Sequence, residues 1–259
     1  MTLEAKYKVK NDSINGLRIH LQTIRAIYNR ARKEKKVKRD LNPFLDYSIK
    51  TGETHTTAVK VHDIKLLEEI DLSEKPNLNL ARNIFLFSFY CRGMDFMDIA
   101  KLKMKDIKDN RIFYSRSKTG RIFSIFVNSL IKNILDQYMS DKQPDDYIFP
   151  IICEKKALLI DEITYHRNLY NRRLRSLTKL AGISKPLHSK LARHAWANIA
   201  KQKNIPLSYI QEGLGHGNIR TTEIYLDKFD NSELDLVNFE ITNTGPRKGD
   251  IDLRNVQIL

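Results

Sequence analysis

The sequence predicts a mainly α-helical protein with one small antiparallel β-sheet. Three observations lead there. Apolar residues recur at three- and four-residue spacing through most of the chain, the period of a helix with one buried face. Alternation with period two is confined to residues 111–127, on either side of Lys118-Thr119-Gly120. No internal repeat or low-complexity segment breaks the pattern.

The 259 residues give room for one large domain or two modest ones, and a 41% hydrophobic content is enough for a real core. The 45 Lys and Arg against 31 Asp and Glu leave a formal charge of +14. Such an imbalance points to a polyanionic partner, and nucleic acid is the commonest one. On charge alone, a ribosomal or anionic-membrane partner is the alternative. No run approaches the ~18 apolar residues of a membrane helix. The start, MTLEAKYKVK, has no apolar signal core, so export is not expected. Cys91 and Cys153 make no disulfide framework, and without a CxxC the scattered histidines form no metal-site pattern. A reducing, cytoplasmic setting is expected.

In chain order, residues 14–36 read as one helix. Leu17, Leu21, Ile24, Tyr28 and Ala31 form its apolar stripe, and Arg18, Arg25, Arg30, Arg32 and Lys33 occupy the other faces. A solvated face would look like this, and so would a helix laid along a phosphate backbone. Asn42-Pro43-Phe44 reads as a turn. Residues 46–60 are polar and aperiodic, and a linker is placed there. So short a first unit buries little surface, and helices preceding residue 1 are expected.

Val61, Ile64, Leu67 and Ile70 give a short amphipathic helix. Residues 77–91 are apolar on most faces, as in a buried helix, with Asn77 as its expected N-cap. In Arg92-Gly93-Met94-Asp95, Gly93 is expected to stop that helix in the left-handed conformation and Asp95 to cap the next. Arg92 is thereby held at a helix end. After the hairpin, residues 128–139 read as helix, 145–152 as a short extended piece and 153–160 as a loop. Residues 161–181 form a basic helix with Arg167, Arg172, Arg173, Arg175 and Lys179, ending at Gly182. Helices are expected over 190–203 and 206–214, the second with Pro206 in its first turn. Thr221 and Thr222 open a last short helix carrying Tyr225. Beyond it lies one apolar patch, Leu234, Leu236, Val237 and Phe239.

Singly, each polar residue above is unremarkable. Together, FYCRGMDFMDIAKLKMKDI, the SKTG hairpin, ARHAWANIA and LGHGNIRTTEIY, in that order, resemble the tyrosine recombinases, or phage-integrase family. The first segment is similar to that of integrases of mobile elements from Bacteroides-like bacteria. The resemblance spans the whole chain and is strongest from Phe89 to Tyr225. It implies a catalytic domain preceded by a helical, SAM-like core-binding domain, the two clamping DNA as a C. The division it suggests is 1–50 for a partial core-binding domain, 51–60 for a linker, 61–230 for the catalytic domain and 231–259 for a tail. The tail would dock on a neighbouring subunit, although packing on its own domain suits the patch equally.

The resemblance also implies roles, and the residue types suit them. Tyr225 would attack a DNA phosphate and form a 3′-phosphotyrosyl link, splitting one hard substitution into two easier ones. A phenol with pKa near ~10 needs cationic neighbours or a base. Arg92 and Arg193 would grip the phosphate oxygens with paired donors that stay charged. Lys118 would protonate the leaving 5′ oxygen. His216 would hydrogen-bond the phosphate or assist the tyrosine proton. Preorganised cations do the work a metal does elsewhere, so no metal or other cofactor is implied. The family has a histidine three residues before the second arginine. Here that position is Lys190, which can donate to phosphate but cannot accept a proton while charged. His188, five residues before Arg193, is the other candidate. Lys190, Arg25, Arg32, Arg172 and Arg173 are the expected DNA contacts. The implied partners are a double-stranded DNA core site, three further copies of the chain in a tetramer on two duplexes, and accessory DNA-bending proteins. The implied place is the cytoplasm, on the nucleoid, with no membrane. A DNA-binding relic without activity and a type IB topoisomerase-like enzyme remain the alternatives.

Overall fold

The computed structural model describes residues 14–37, 42–45, 47–49, 59–152, 159–218 and 222. Two compact units divide the chain, Met1–His55 and Thr56–Leu259. Of the loop expected at 153–160, residues 153–158 with Cys153 lie outside the described residues, as do the helix of Tyr225 and the Leu234–Phe239 patch, while Leu159 and Ile160 are already helical.

In the first unit, α1 spans Ile14–Lys33. It has no acidic residue in its first turn, and Arg30, Arg32 and Lys33 fill its last, where cations complement the helix dipole. Leu17 and Leu21 are buried, but Ile24 is 52% exposed. The stripe read from the sequence is therefore covered only in part. Phe44, in the Asn42–Phe44 turn, reaches back to Tyr28 at the far end of the stripe, with ring centroids 6.3 Å apart. The middle of the stripe is left open.

The second unit is organised around α3, Pro76–Tyr90. It packs against α2 (Val61–Glu69), α4 (Phe96–Lys101), α5 (Ser129–Leu135), α6 (Leu159–Leu180) and α7 (Leu191–Gln202). A helix covered on so many sides must be apolar nearly all round, and residues 83–88 are all buried. Phe87 meets Phe149 edge-on at 4.9 Å, and Phe96 stacks on Tyr170 at 4.9 Å. Each such side chain contributes roughly 1.5–3 kcal/mol of burial. The one buried polar group in that run with a long reach, Asn83, donates to Gln137 Oε1 and to the Tyr138 hydroxyl, both at 2.9 Å. Val59, inside the stretch read as a linker, is 4% exposed and belongs to this core.

Three strands form the sheet in the order β1 (Ile107–Lys108), β2 (Arg111–Ser115), β3 (Ile122–Phe126), all antiparallel. The register pairs Ile112 with Ile125 and Tyr114 with Phe123, so these side chains face the core. The two-residue β1 gave no periodic signal in the sequence. Residues 145–152 contain no strand, only a bridge from Tyr147 to Lys103, and Ile148, Phe149 and Ile151 are buried within turns. The last helix, α8, spans Leu207–Leu214 and packs on α7.

Several ends differ from expectation. Lys75, not Asn77, is the N-cap of α3, because Pro76 takes the first helical position, where its missing N–H is no loss. Asn77 instead accepts a hydrogen bond from Arg173 at 2.6 Å. Pro206 is the N-cap of α8 rather than part of its first turn. α5 stops at Leu135, four residues early, in turns that bring Gln137 and Tyr138 to Asn83. Among the described residues no helix is long and apolar enough to cross a membrane.

Candidate active site

The end of α3 is unusual. Ser88 O accepts from the backbone N–H groups of Gly93 at 2.8 Å and Met94 at 3.2 Å, and Ser88 Oγ donates to Met94 O at 2.7 Å. The Gly93 bond spans six residues, the closure of a Schellman cap. Its left-handed position falls on Arg92, with φ 57°, and Gly93 follows at φ 72°. The sequence reading placed the left-handed residue at Gly93 alone. A bulky residue held there is strained by about 1–2 kcal/mol, and such strain gathers at functional sites. Gly93 has a second reason to be glycine. A Cβ there would stand 2.6 Å from Arg193 Cα. The turn carrying Arg92 is thus pressed directly onto the helix carrying Arg193.

Arg193, one turn into α7, is 6% exposed. Its Nη1 donates to Gly93 O at 3.1 Å, and its Nη2 donates to Leu214 O. Nη2 also lies 3.1 Å from His216 Nε2. A guanidinium can only donate, so Nε2 is the acceptor and the ring proton sits on Nδ1. Nδ1 then donates to Thr222 Oγ1 at 3.0 Å. Burial, then the charges of Arg193, Arg116 and Lys118, push the His216 imidazole down to about 4. It is neutral at neutral pH. The approach to α7 is fixed from α6: Thr178 Oγ1 accepts from Leu187 N at 2.9 Å, and Asn171 Oδ1 accepts from Ser189 N at 2.8 Å.

His216 follows Gly215, the left-handed residue that ends α8. A Cβ on Gly215 would come within 2.3 Å of Phe123 Cζ, so the β-hairpin and the His216 turn are also in direct contact. The hairpin turn, Arg116–Arg121, is closed by Arg116 N donating to Arg121 O at 2.8 Å and by Arg116 O accepting from Thr119 and Gly120. Lys118 sits at its exposed tip.

Sequence reasoning missed three residues here. Arg116 is 7% exposed, donating to Leu214 O at 3.2 Å and to Asp95 Oδ2 at 3.1 Å. Asp95 stands at the N-cap of α4 but makes no side-chain cap bond, because its carboxylate is turned to Arg116. Asp98 is 5% exposed and accepts from Ser117 N at 2.8 Å. The signal was available: Ile112, Tyr114 and Arg116 share one parity, and an arginine on the inward parity of a strand needs a buried partner.

The structure joins Arg193 and His216 directly, sets the Gly93 backbone beside Arg92 against Arg193, and brings Lys118 near enough to bear on the His216 charge. Tyr225 lies outside the described residues, while Thr222, three residues before it, is fully buried against His216. Lys190 is the exposed N-cap of α7 with helical backbone, φ −81° and ψ −18°, so its three-residue step to Arg193 is kept. His188 is exposed in the loop before it. Arg25, Arg32 and Arg172 are exposed, and Arg173 is half-buried beside Asn77. Chemically, the buried Arg193 guanidinium beside a neutral imidazole is a fixed pair of the kind that can hold an oxyanion, with half-buried Arg92 on the adjoining turn.

A family model described as the phage integrase family matches residues 62–232. A tyrosine recombinase of Pseudothermotoga lettingae is 26% identical over 187 residues, which is 69% of this chain and 61% of that protein. Tyrosine recombinase XerA of Saccharolobus solfataricus is 24% identical over 252 residues, 94% of this chain and 78% of that one. The chain thus spans 61% of the first relative's length. The solved structure of a lambda integrase (75–356) dimer bound to a COC′ core site matches with a TM-score of 0.65 at 14% identity, over 88% of this chain and 79% of that one. That likeness establishes the fold.

Proposed function

The chain belongs to the phage integrase family, and from that premise we propose that it is a site-specific DNA recombinase of a mobile element. It cuts and rejoins strands through a 3′-phosphotyrosyl intermediate at Tyr225. The observation that carries this reading is the convergence of the Arg92–Gly93 turn, Arg193 and His216, with Lys118 close enough to bear on the His216 charge.

In the proposed step the Tyr225 phenolic oxygen bonds to phosphorus as the bond from phosphorus to the 5′ oxygen breaks. The phenol gives up its proton. The Lys118 ammonium gives one to the departing 5′ oxygen, so no alkoxide is released. Arg92 and Arg193 hold the non-bridging oxygens as charge gathers on them. His216, neutral with its proton on Nδ1, can take the phenol proton on Nε2. Reversal with a different 5′ hydroxyl rejoins the strand. Lys190, rather than His188, contributes a donor to the same phosphate, from the N-terminus of the helix that carries Arg193. Arg25, Arg32, Arg172 and Arg173 contact the duplex backbone. Four copies act on two duplexes in the cytoplasm, on core sites the basic helices hold in register.

The test begins with duplexes of random sequence selected by binding to the protein. The selected site is rebuilt with a nick, so that the cleaved fragment diffuses away and the adduct is trapped. Native protein is expected to give a covalent adduct on a denaturing gel, and Tyr225→Phe none. An adduct that survives Tyr225→Phe, or no adduct from native protein on its selected site, overturns the proposal.

A further inference from the structure

Resting on that reading, we propose that Asp98 and Arg116 are positioning residues for Lys118, holding the turn of the proton donor from its two preceding residues. A lysine on a hairpin tip is ordinarily a mobile surface group, and proton transfer requires a defined distance to the leaving oxygen. Here the residues just before Lys118 are both anchored. Ser117 N donates to Asp98 Oδ1 at 2.8 Å, and Ser117 Oγ accepts from Lys101 Nζ at 3.3 Å. Arg116 is fastened through its side chain to Asp95 Oδ2 at 3.1 Å and to Leu214 O at 3.2 Å. Its own carbonyl takes the N–H groups of Thr119 at 3.1 Å and Gly120 at 2.8 Å, which closes the turn beyond Lys118.

Both anchoring carboxylates come from one face of α4, Asp95 and Asp98 being three residues apart. That short helix begins four residues after Arg92. Leu214 O is shared, because Arg193 Nη2 donates to it as well. One carbonyl therefore registers the turn of the proton donor against the arginine that holds phosphate. Asp98 at 5% exposure and Arg116 at 7% are costly to bury, and a hairpin needs neither for its register.

A role through Lys118 differs from a general structural role in one measurable way. A leaving group that needs no proton makes the donor dispensable. The substrate is the selected nicked duplex with sulfur replacing the bridging 5′ oxygen at the scissile phosphate, since a thiolate departs unprotonated. On ordinary DNA, Asp98→Ala and Arg116→Met are expected to slow adduct formation by about 10²-fold, the scale of a misplaced catalytic group. Lys118→Ala is expected to be at least as slow. On the sulfur substrate all three return close to the native rate, with DNA affinity unchanged. Asp98→Asn, which keeps an oxygen for Ser117 N, recovers most of the loss on ordinary DNA.

If Lys118→Ala is rescued by sulfur while Asp98→Ala and Arg116→Met stay slow, those residues act elsewhere and the positioning proposal is overturned. It is equally overturned if both variants cleave ordinary DNA at the native rate. If Lys118→Ala itself is not rescued, Lys118 is not the donor and the reading of the site fails first. Asp98→Ala leaves the Arg116–Asp95 pair intact, so a folding failure of Arg116→Met does not remove the test.

Discussion

Replacing Gly93 by alanine tests whether the contact between the Arg92 turn and Arg193 builds the site. Two costs are expected. The first is conformational: at φ 72° an alanine is strained by about 1–2 kcal/mol. The second is steric. The new methyl would lie 2.6 Å from Arg193 Cα, 2.7 Å from its Cβ and 2.6 Å from its Cγ. Two of these atoms sit at the root of the side chain on a buried helix, so the overlap cannot be relieved by rotating a side-chain end. Overpacking of this kind costs typically about 1–3 kcal/mol. Gly182→Ala supplies the control, with φ 67° and nothing within 4 Å of the added methyl, so it carries the strain alone. For a unit of this size 1 kcal/mol is about 2–4 °C in Tm, so Gly93→Ala should melt roughly 2–12 °C below Gly182→Ala. Because Arg193 must move, adduct formation on the selected nicked duplex should also fall by about 10²-fold. Thermal melts of both variants and a single-turnover adduct time course measure the two effects. Equal melting temperatures together with an undiminished adduct rate for Gly93→Ala would refute the reasoning.

Two further outcomes are expected. The His216 imidazole, at about 4 when folded against 6.5 ordinarily, binds its proton more readily in the unfolded chain. Stability from this group is present above pH 6.5 and is lost as pH falls from there toward 4. Urea midpoints measured across that range should drop for native protein and drop less for His216→Gln, and an equal drop in both would count against a buried neutral ring. For DNA binding, log affinity should fall linearly with log salt, and Arg172→Ala should make the slope shallower by about 0.9, one phosphate's worth. An unchanged slope would remove exposed α6 from the DNA-facing surface.

Much of the fold was legible because long helices report themselves locally. The periodicity of α2, α3, α6 and α7 located each within one or two residues, and the alternation around Lys118 located β2 and β3. Ends were less legible. Which residue caps α3 depended on Pro76 taking the first helical position, and where α5 stopped depended on Gln137 and Tyr138 serving Asn83, a partner 54 and 55 residues away. Val59 reads as polar-linker sequence because nothing beside it in the chain says that a core lies next to it. The left-handed Arg92 contradicts local preference, and only the double acceptance by Ser88 O and the contact with Arg193 account for it.

By itself the sequence determined the inventory: a strongly basic, helix-rich chain, with two arginines, a lysine, a histidine and a tyrosine in an order that suits phosphate chemistry. Those properties are additive or local, so they survive without a fold. The tertiary structure alone decided which groups meet. Arg193 finds Gly93 across 100 residues, Arg116 finds Leu214 across 98, and His216 becomes a neutral acceptor only beside a buried guanidinium. Burial and proximity are properties of the folded chain, and they set the charge state and aim of each side chain in ways that spacing along the backbone does not contain.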